Sequence, residues 1–585
     1  MVALICVIGV ILFLIFSLHF KWLEVEVSFI VGIVFLLITQ VLTIQEVLEG
    51  FSNETLIVIL LLVSIGEILR KSNLLEILFD FFFKGAKTYN GFLGRMILVI
   101  GSFSAFLNNT PIVALMMPYG SIWSKRNNIS VSKFLIPISY IAILGGSCTL
   151  IGSSTNLMVN SLISEYSSEI PLLGLFDFAF IGVTMLVLGG GYLLILAYKL
   201  LPSKVESSTL ISKNIPEYLI EARVTEQSAF IDKTITKAGL RNLSDLYLVK
   251  IIRGTKEYTS VPPTFILKVN DTVVFAGDTG KIASLVKNKN LELYPDTSDS
   301  FKNSELVELV VSHNSYLADH TVKESRFRSE FDAAIIAIRR GNKKIEGKIG
   351  SIKIKPGDVL LVLSGEDFEN RAIHTSDFYV ISKKWNLSVL NPFASKFILI
   401  GTLVSILLSA FGLVSLFTSL LVLFTLIIGF KLVDKKEVYH SIDLKLGIII
   451  ALALALGKAM KKSGLSDEIA NMLYETSKNF GDTGLYVVIF VVTSFLAAYV
   501  TGKAAIAIMI PVGISLAGVT SLDYLPIILT IAFAASANFM TPHGYQTNLM
   551  VFQSGDYSYR DFMKIGFPLT LLYMVVTIFC ITYFY

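Results

Sequence analysis

Charge and cysteine are both scarce in this chain. Of its 585 residues only 16% are Asp, Glu, Lys or Arg, against 54% hydrophobic, and the mean hydropathy is +0.69. A disordered chain has the opposite balance. The three cysteines, Cys6, Cys148 and Cys580, lie in apolar stretches without the spacing of a zinc or redox site. They read as small buried hydrophobes, and a disulfide-built secreted scaffold is excluded. The net charge of +4 is small and scattered, so no nucleic-acid partner is expected. No Gly-x-Gly-x-x-Gly opens a helix after a strand, which excludes a dinucleotide-binding half. A potassium-channel filter of the Thr-Val-Gly-Tyr-Gly type is missing. So are the paired acids or metal-ligating helix of a membrane enzyme.

What charge there is collects in the middle. Of 49 basic and 45 acidic residues, 51 fall between Ser203 and Phe393. The flanks are left as apolar segments of the ~20 residues a helix needs to cross a bilayer. They run at about 2–19, 25–43, 54–70, 92–123, 134–163 and 176–201 before the insert. After it they run at about 394–411, 413–432, 443–460, 484–519, 524–550 and 562–584. Met1 to Phe20 lacks a basic start and a small-residue cleavage site, so it reads as a first transmembrane helix and not a removable signal. The expected fold class is a polytopic α-helical membrane protein carrying a soluble α/β insert.

Two segments in each flank are too long or too interrupted for single spans. Asn108-Asn109-Thr110-Pro111 breaks the first, and Gly145-Gly146-Ser147 through Gly152-Ser153-Ser154-Thr155-Asn156 breaks the second. Such breaks persist only where protein or a watery cavity covers the freed backbone groups. The flanks also repeat each other. Phe106 to Pro118 lines up with Tyr499 to Pro511, Thr155-Asn156-Leu157-Met158-Val159 with Thr547-Asn548-Leu549-Met550-Val551, and Gly66 to Ser72 with Gly457 to Ser463. Two halves, each with a broken hairpin and a broken helix, are the signature of a secondary transporter whose site lies where the breaks meet.

The breaks carry hydroxyls (Thr110, Ser154, Thr155, Thr501, Thr541, Thr547), amides (Asn109, Asn156, Asn548) and helix N-termini. Such donors suit an oxyanion, and the same oxygens can coordinate a hard cation. For any one Ser or Thr alone, back-bonding within its helix is the simpler role. His543, inside the last break, could accept a coupling proton or merely brace the loop. Glu67 and Lys458 occupy equivalent positions and read either as snorkelling charges or as an ion pair.

The insert repeats as well. Asp245/Asp332, Lys268/Lys355 and Asp271/Asp358 share an offset of 87, each set beside alternating strands (Leu246–Ile252 and Ala333–Ile338; Thr272–Phe275 and Val359–Val362). Two small α/β modules are expected.

The runs Leu135 to Leu157 and Thr541 to Val551 resemble the divalent anion:sodium symporter family, in the branch with two TrkA-C modules between its halves. The resemblance covers essentially the whole chain. It implies a homodimeric elevator transporter of inverted repeats in the plasma membrane, carrying a small divalent anion, sulfate-like or dicarboxylate, with sodium as the coupling ion. The family's two tip signatures fall on Asn108, Asn109 and Thr110 and on Thr501, Gly502 and Lys503. With Ser154, Thr155, Asn156, Thr541, Pro542, Thr547 and Asn548 they form the expected anion site. Sodium is expected at Ser104, Asn108, Asn109, Gly145 and Gly146. The second tip departs from the pattern: Ala497 stands where Ser104 has its counterpart, and Lys503 replaces the threonine. Lys503 is therefore expected to stand in for a second sodium. The domains are expected at 1–202, 203–290, 291–390 and 391–585, with a small-molecule or nucleotide regulator at the TrkA-C pair. Lys199, Lys204, Lys383 and Lys384 place the insert in the cytosol. The competing reading, a cation transporter or sodium/proton antiporter, wants an aspartate at a tip, and neither tip has one.

Overall fold

The structure is a computed structural model. It describes residues 1–20, 22–70, 74–166, 170–203, 219–240, 243, 246–254, 256–258, 261–277, 290–293, 306–312, 315–340, 343–345, 347, 349–365, 367–373, 375, 377–381, 390–520, 522–542 and 544–585. His543, Asp245, Lys204, Lys383 and Lys384 lie outside the described residues.

Before the insert run α1 (Val2–His19), α2 (Val25–Ile38), α3 (Ile44–Phe51), α4 (Glu54–Arg70), α5 (Leu74–Phe83), α6 (Tyr89–Ser104), α7 (Asn109–Arg126), α8 (Leu135–Gly146), α9 (Ser154–Tyr166) and α10 (Ala179–Tyr192). After it run α11 (Pro392–Ala410), α12 (Leu416–Gly429), α13 (Lys435–Ser441), α14 (Leu444–Lys462), α15 (Leu465–Ser477), α16 (Gly481–Tyr499), α17 (Gly502–Thr520), α18 (Tyr524–Ser536), α19 (Gln546–Ser554) and α20 (Tyr559–Phe584). The two successions match, long helix for long and short for short. Among the described residues seven spans are long and apolar enough to cross a membrane. The chain is a polytopic helical membrane protein.

All four expected breaks are present. The 92–123 stretch divides into α6 and α7, 134–163 into α8 and α9, 484–519 into α16 and α17, and 524–550 into α18 and α19. Local chemistry starts each new helix. Asn108 caps α7, its side-chain oxygen accepting from Thr110 N at 3.4 Å, and Pro111 falls in the first turn, where a missing N–H costs nothing. Thr501 Oγ1 accepts from Ala504 N at 3.2 Å at the head of α17. Glycine lets the broken segments close on one another. A Cβ on Gly145 would stand 2.5 Å from Gly101 O, and one on Gly152 would stand 2.6 Å from Gly146 O and 2.7 Å from Ser104 O.

The short helices α3, α5, α13 and α15 were not expected, being too brief to register as spans. A capping box opens α3, with Glu46 N donating to Thr43 Oγ1 at 3.3 Å and Thr43 N to Glu46 Oε2 at 2.8 Å. The helix is tied to α14 by Lys458 with Glu49 and by Lys462 with Glu46 at 2.9 Å. Lys458 is thus an ion-pair residue, with Glu49 as its partner.

Among its described residues the insert holds two five-stranded antiparallel sheets. The first has β1 (Leu219–Val224), β2 (Leu246–Arg253), β3 (Lys256–Tyr258), β4 (Thr272–Gly277) and β5 (Leu291–Leu293) in the order β3-β2-β4-β1-β5. The second has β6 (Leu306–Val311), β7 (Ala333–Arg340), β8 (Lys343–Lys344), β9 (Val359–Ser364) and β10 (Phe378–Val380) in the equivalent order β8-β7-β9-β6-β10. Even the irregularities repeat: the register shifts between Leu248 and Lys250 and between Ile335 and Ala337. Arg253 grips Asp271 with two bonds of 2.7 Å, and Arg340 grips Asp358 at 2.8 and 2.7 Å. The sheets share an apolar cluster of Val249, Val274, Ala334, Ile336, Leu361 and Leu363. Farther along that same face the second sheet joins the membrane core through Val310 and Val359, with Ile381 beside them, and β10 meets α7.

Candidate functional site

The halves exchange their broken helices. α9 packs against α17 and α18, while α19 packs against α7 and α8. Each tip therefore meets the break of the other half, which puts residues some four hundred positions apart into one site.

At the first tip, Ser104, Asn109 and the α8–α9 break converge. The Ser104 hydroxyl lies against Asn109 Oδ1 and 2.8 Å from Ala142 O. A Cβ on Gly146 would stand 2.7 Å from that same Asn109 oxygen. The Thr149 hydroxyl donates to Ala105 O and accepts from Gly152 N at 3.1 Å. These are neutral hydroxyl, amide and carbonyl oxygens gathered within bonding distance of one another, the ligand type a hard cation takes. The other end of the Asn109 amide points to a different chemistry: Nδ2 donates to the Tyr545 hydroxyl at 3.1 Å. Tyr545 also meets Ser153 Oγ at 3.3 Å and the Thr155 side chain. Thr110 Oγ1 donates to Gln546 Oε1 at 3.4 Å.

The second tip faces Thr155. A Cβ on Gly502 would stand 2.8 Å from Ala535 O, 3.5 Å from Asn538 Nδ2 and 3.7 Å from Thr155 Cγ2. Asn538 occupies the place that Gly146 holds in the first half. Its Oδ1 and the Thr541 hydroxyl are buried without a hydrogen-bond partner among the described residues. Lys503 is half-buried in the first turn of α17, within the fields of Asp443 and Glu26.

Of the expected residues, Ser104, Asn109, Thr110, Gly146 and Thr155 meet at the first tip and its facing loops, with Asn108, Gly145 and Ser154 beside them in the chain, and Gly502, between Thr501 and Lys503, faces Thr155 from the second tip. Asn156, Thr547 and Asn548 serve as internal braces. Asn156 Nδ2 donates to Thr149 O at 3.0 Å, and Ser139 Oγ meets Thr547 Oγ1 at 2.8 Å and Asn548 Oδ1 at 2.7 Å. Asn548 Nδ2 reaches Asn538 O at 2.6 Å and Thr541 O at 3.3 Å, which holds Thr541 and Pro542 in the loop. Sequence reasoning missed Ser139, Ser153, Asn538 and Tyr545. Ser153 and Tyr545 hold the same place in the repeated motif, Gly152-Ser153-Ser154-Thr155-Asn156 against Gly544-Tyr545-Gln546-Thr547-Asn548. That correspondence was the available signal.

Comparison with known proteins agrees with this architecture. The pattern of the citrate transporter family matches residues 10–479 and again 404–585. A Chlamydomonas reinhardtii protein named for regulating the response to sulfur deprivation is 29% identical, over 96% of this chain and 98% of its own length. An uncharacterized transporter of Synechocystis is 27% identical over 97% and 95%. Sodium/sulfate cotransporter 1 of Chlamydomonas reinhardtii is 23% identical over 96% and 88%. The family and the latter two relatives are transporters and not enzymes, which accords with the resemblance to anion:sodium symporters. The chain belongs to the citrate transporter family.

Proposed function

We propose that the chain is a sodium-coupled carrier of a small divalent anion, sulfate-like or dicarboxylate, held between the first tip and the second break. The observation that carries this reading is the Asn109 amide. Its oxygen belongs to the Ser104–Gly146 oxygen set and its nitrogen to the Tyr545–Ser153–Thr155 donor set. A cation on one side orients the amide so that its N–H groups face an anion on the other. Binding of each ion then favours the other, as symport requires. The kinship with a sodium/sulfate cotransporter supports sodium and sulfate over a proton and a neutral solute. In this reading Lys503 supplies at the second tip the positive charge that a second sodium would bring.

The matching helix successions support two inverted repeats, 1–202 and 391–585, that work by an elevator movement in a plasma-membrane homodimer. The repeated sheets support two TrkA-C-like modules at 203–290 and 291–390, which lie in the cytosol and regulate or assemble the carrier, with a nucleotide or other small ligand as effector. Contact between β10 and α7 gives such regulation a route to the first tip, since α7 begins at Asn109. Equilibrium binding of labelled sulfate to the purified full chain tests the coupling. Sodium should tighten it at least tenfold in the wild type and by no more than twofold in Asn109→Ala.

A further inference from the structure

We propose that Tyr545 is a built-in substitute for the anion: its phenol oxygen takes the donors of Asn109 and Ser153, next to Thr155, whenever the carrier reorients without cargo. This rests on the anion-transport reading above.

The three residues come from the first tip and the first break, whereas Tyr545 comes from the second break. Asn109 Nδ2 lies 3.1 Å from the phenol oxygen, Ser153 Oγ lies 3.3 Å from it, and the Thr155 side chain lies beside it. An amide nitrogen only donates, so an Asn109 N–H is aimed at the phenol oxygen. Ser153 Oγ already accepts Thr155 N at 3.2 Å, which leaves its single hydrogen for Tyr545 or for another acceptor. Donors converging on one oxygen are what an oxyanion asks of a site. An anion oxygen and the phenol oxygen cannot both take them.

The two occupants differ in strength. Hydrogen bonds to an ionised acceptor are roughly twice as strong as neutral ones, so an anion displaces the phenol when it binds. Without an anion or the phenol, the same donors would cross the membrane interior unpaired. One stranded buried donor slows such a step by roughly five- to a hundredfold. A carrier that performs net uptake must return without cargo in every cycle, whereas one that exchanges anion for anion never does. Tyr545 matters most in the return. Ser153, its counterpart in the first break, is itself one of the groups around the phenol, so one half supplies the substitute and the other supplies the donors.

The test uses the full chain in proteoliposomes with labelled sulfate, comparing sodium-driven net uptake with exchange against internal sulfate. Tyr545→Phe keeps the ring and removes the oxygen. The ratio of net uptake to exchange should fall at least fivefold, and sulfate binding to the purified variant should tighten. Equal losses in both assays, an unchanged ratio, or sulfate affinity weakened tenfold would each overturn the proposal. Ser153→Ala added to Tyr545→Phe leaves one donor fewer to strand. The double variant should recover part of the lost ratio, and no recovery in a variant with a wild-type unfolding temperature contradicts the idea. Wild-type protein that exchanges neither sulfate nor succinate refutes the transport reading itself.

Discussion

At the scale of single residues the central object is Asn109, buried at the tip with one amide end on each ion's side. Replacing Asn109 or Thr110 with alanine should weaken anion binding about ten- to a hundredfold, since a hydrogen bond to a charged group is worth roughly 1.5–3 kcal/mol. Titration with labelled sulfate measures it, and normal affinity in both variants would move the site elsewhere. Lys503→Thr should raise the number of sodium ions carried per anion, read from reversal potentials. Two or more sodium ions per anion in the wild type, unchanged by the substitution, would contradict a charge-substituting lysine. Asn109, Thr155 and Lys503 were legible in the sequence because they interrupt apolar runs, and polar residues there need a reason. Tyr545 was not, because its partners lie 436 and 392 positions away and an aromatic beside a glycine looks like any loop residue. Lys458 was read only as far as a possible pair, since Glu49 sits on a helix that hydropathy does not reveal.

Among elements, the breaks depend on close backbone approach. A methyl group on Gly152 would meet Gly146 O, Ser104 O and Ala105 O, all rigid backbone. Gly152→Ala should therefore push the break off the first tip, lower stability by about 1–3 kcal/mol and abolish sodium-dependent anion binding. Thermal unfolding and binding on one preparation check both effects. In the insert, burial pushes the Asp358 carboxyl up, while the Arg340 guanidinium and the Lys355 N–H pull it back down. Arg340→Ala removes the main counterweight and should destabilise the second sheet by roughly 3–5 kcal/mol near neutral pH. With the folded-state value then further above the unfolded one, the loss grows as pH rises and shrinks as it falls through the carboxylate range. Hydrogen exchange of β9 amides in the full chain follows this. The strands β2, β4, β7 and β9 were legible from alternation and an offset of 87. The helices α3 and α13 were not, because an amphipathic segment of eight or seven residues is below what a membrane-span search resolves.

For the whole molecule, the repeat between the flanks was visible from three aligned motifs, yet the exchange of α9 and α19 between halves was not. Pairing of distant segments is decided by packing, which sequence alignment within a chain does not record. The proposed cytosolic placement of the insert, argued from the basic residues that flank it, predicts that a cysteine placed in it stays unlabelled by impermeant reagents applied to intact cells. Removal of residues 205–390 should leave transport measurable if the insert regulates, and abolish it in a protein that still folds only if the insert does more. The account as a whole turns on the joining of cation and anion at Asn109. Its most direct test is labelled sulfate and succinate uptake into proteoliposomes holding the full chain, with and without an inward sodium gradient. The account predicts concentrative uptake of at least one of the two anions that requires sodium and collapses in Asn109→Ala. Uptake of equal size without sodium, or a sodium requirement untouched by Asn109→Ala, would contradict it.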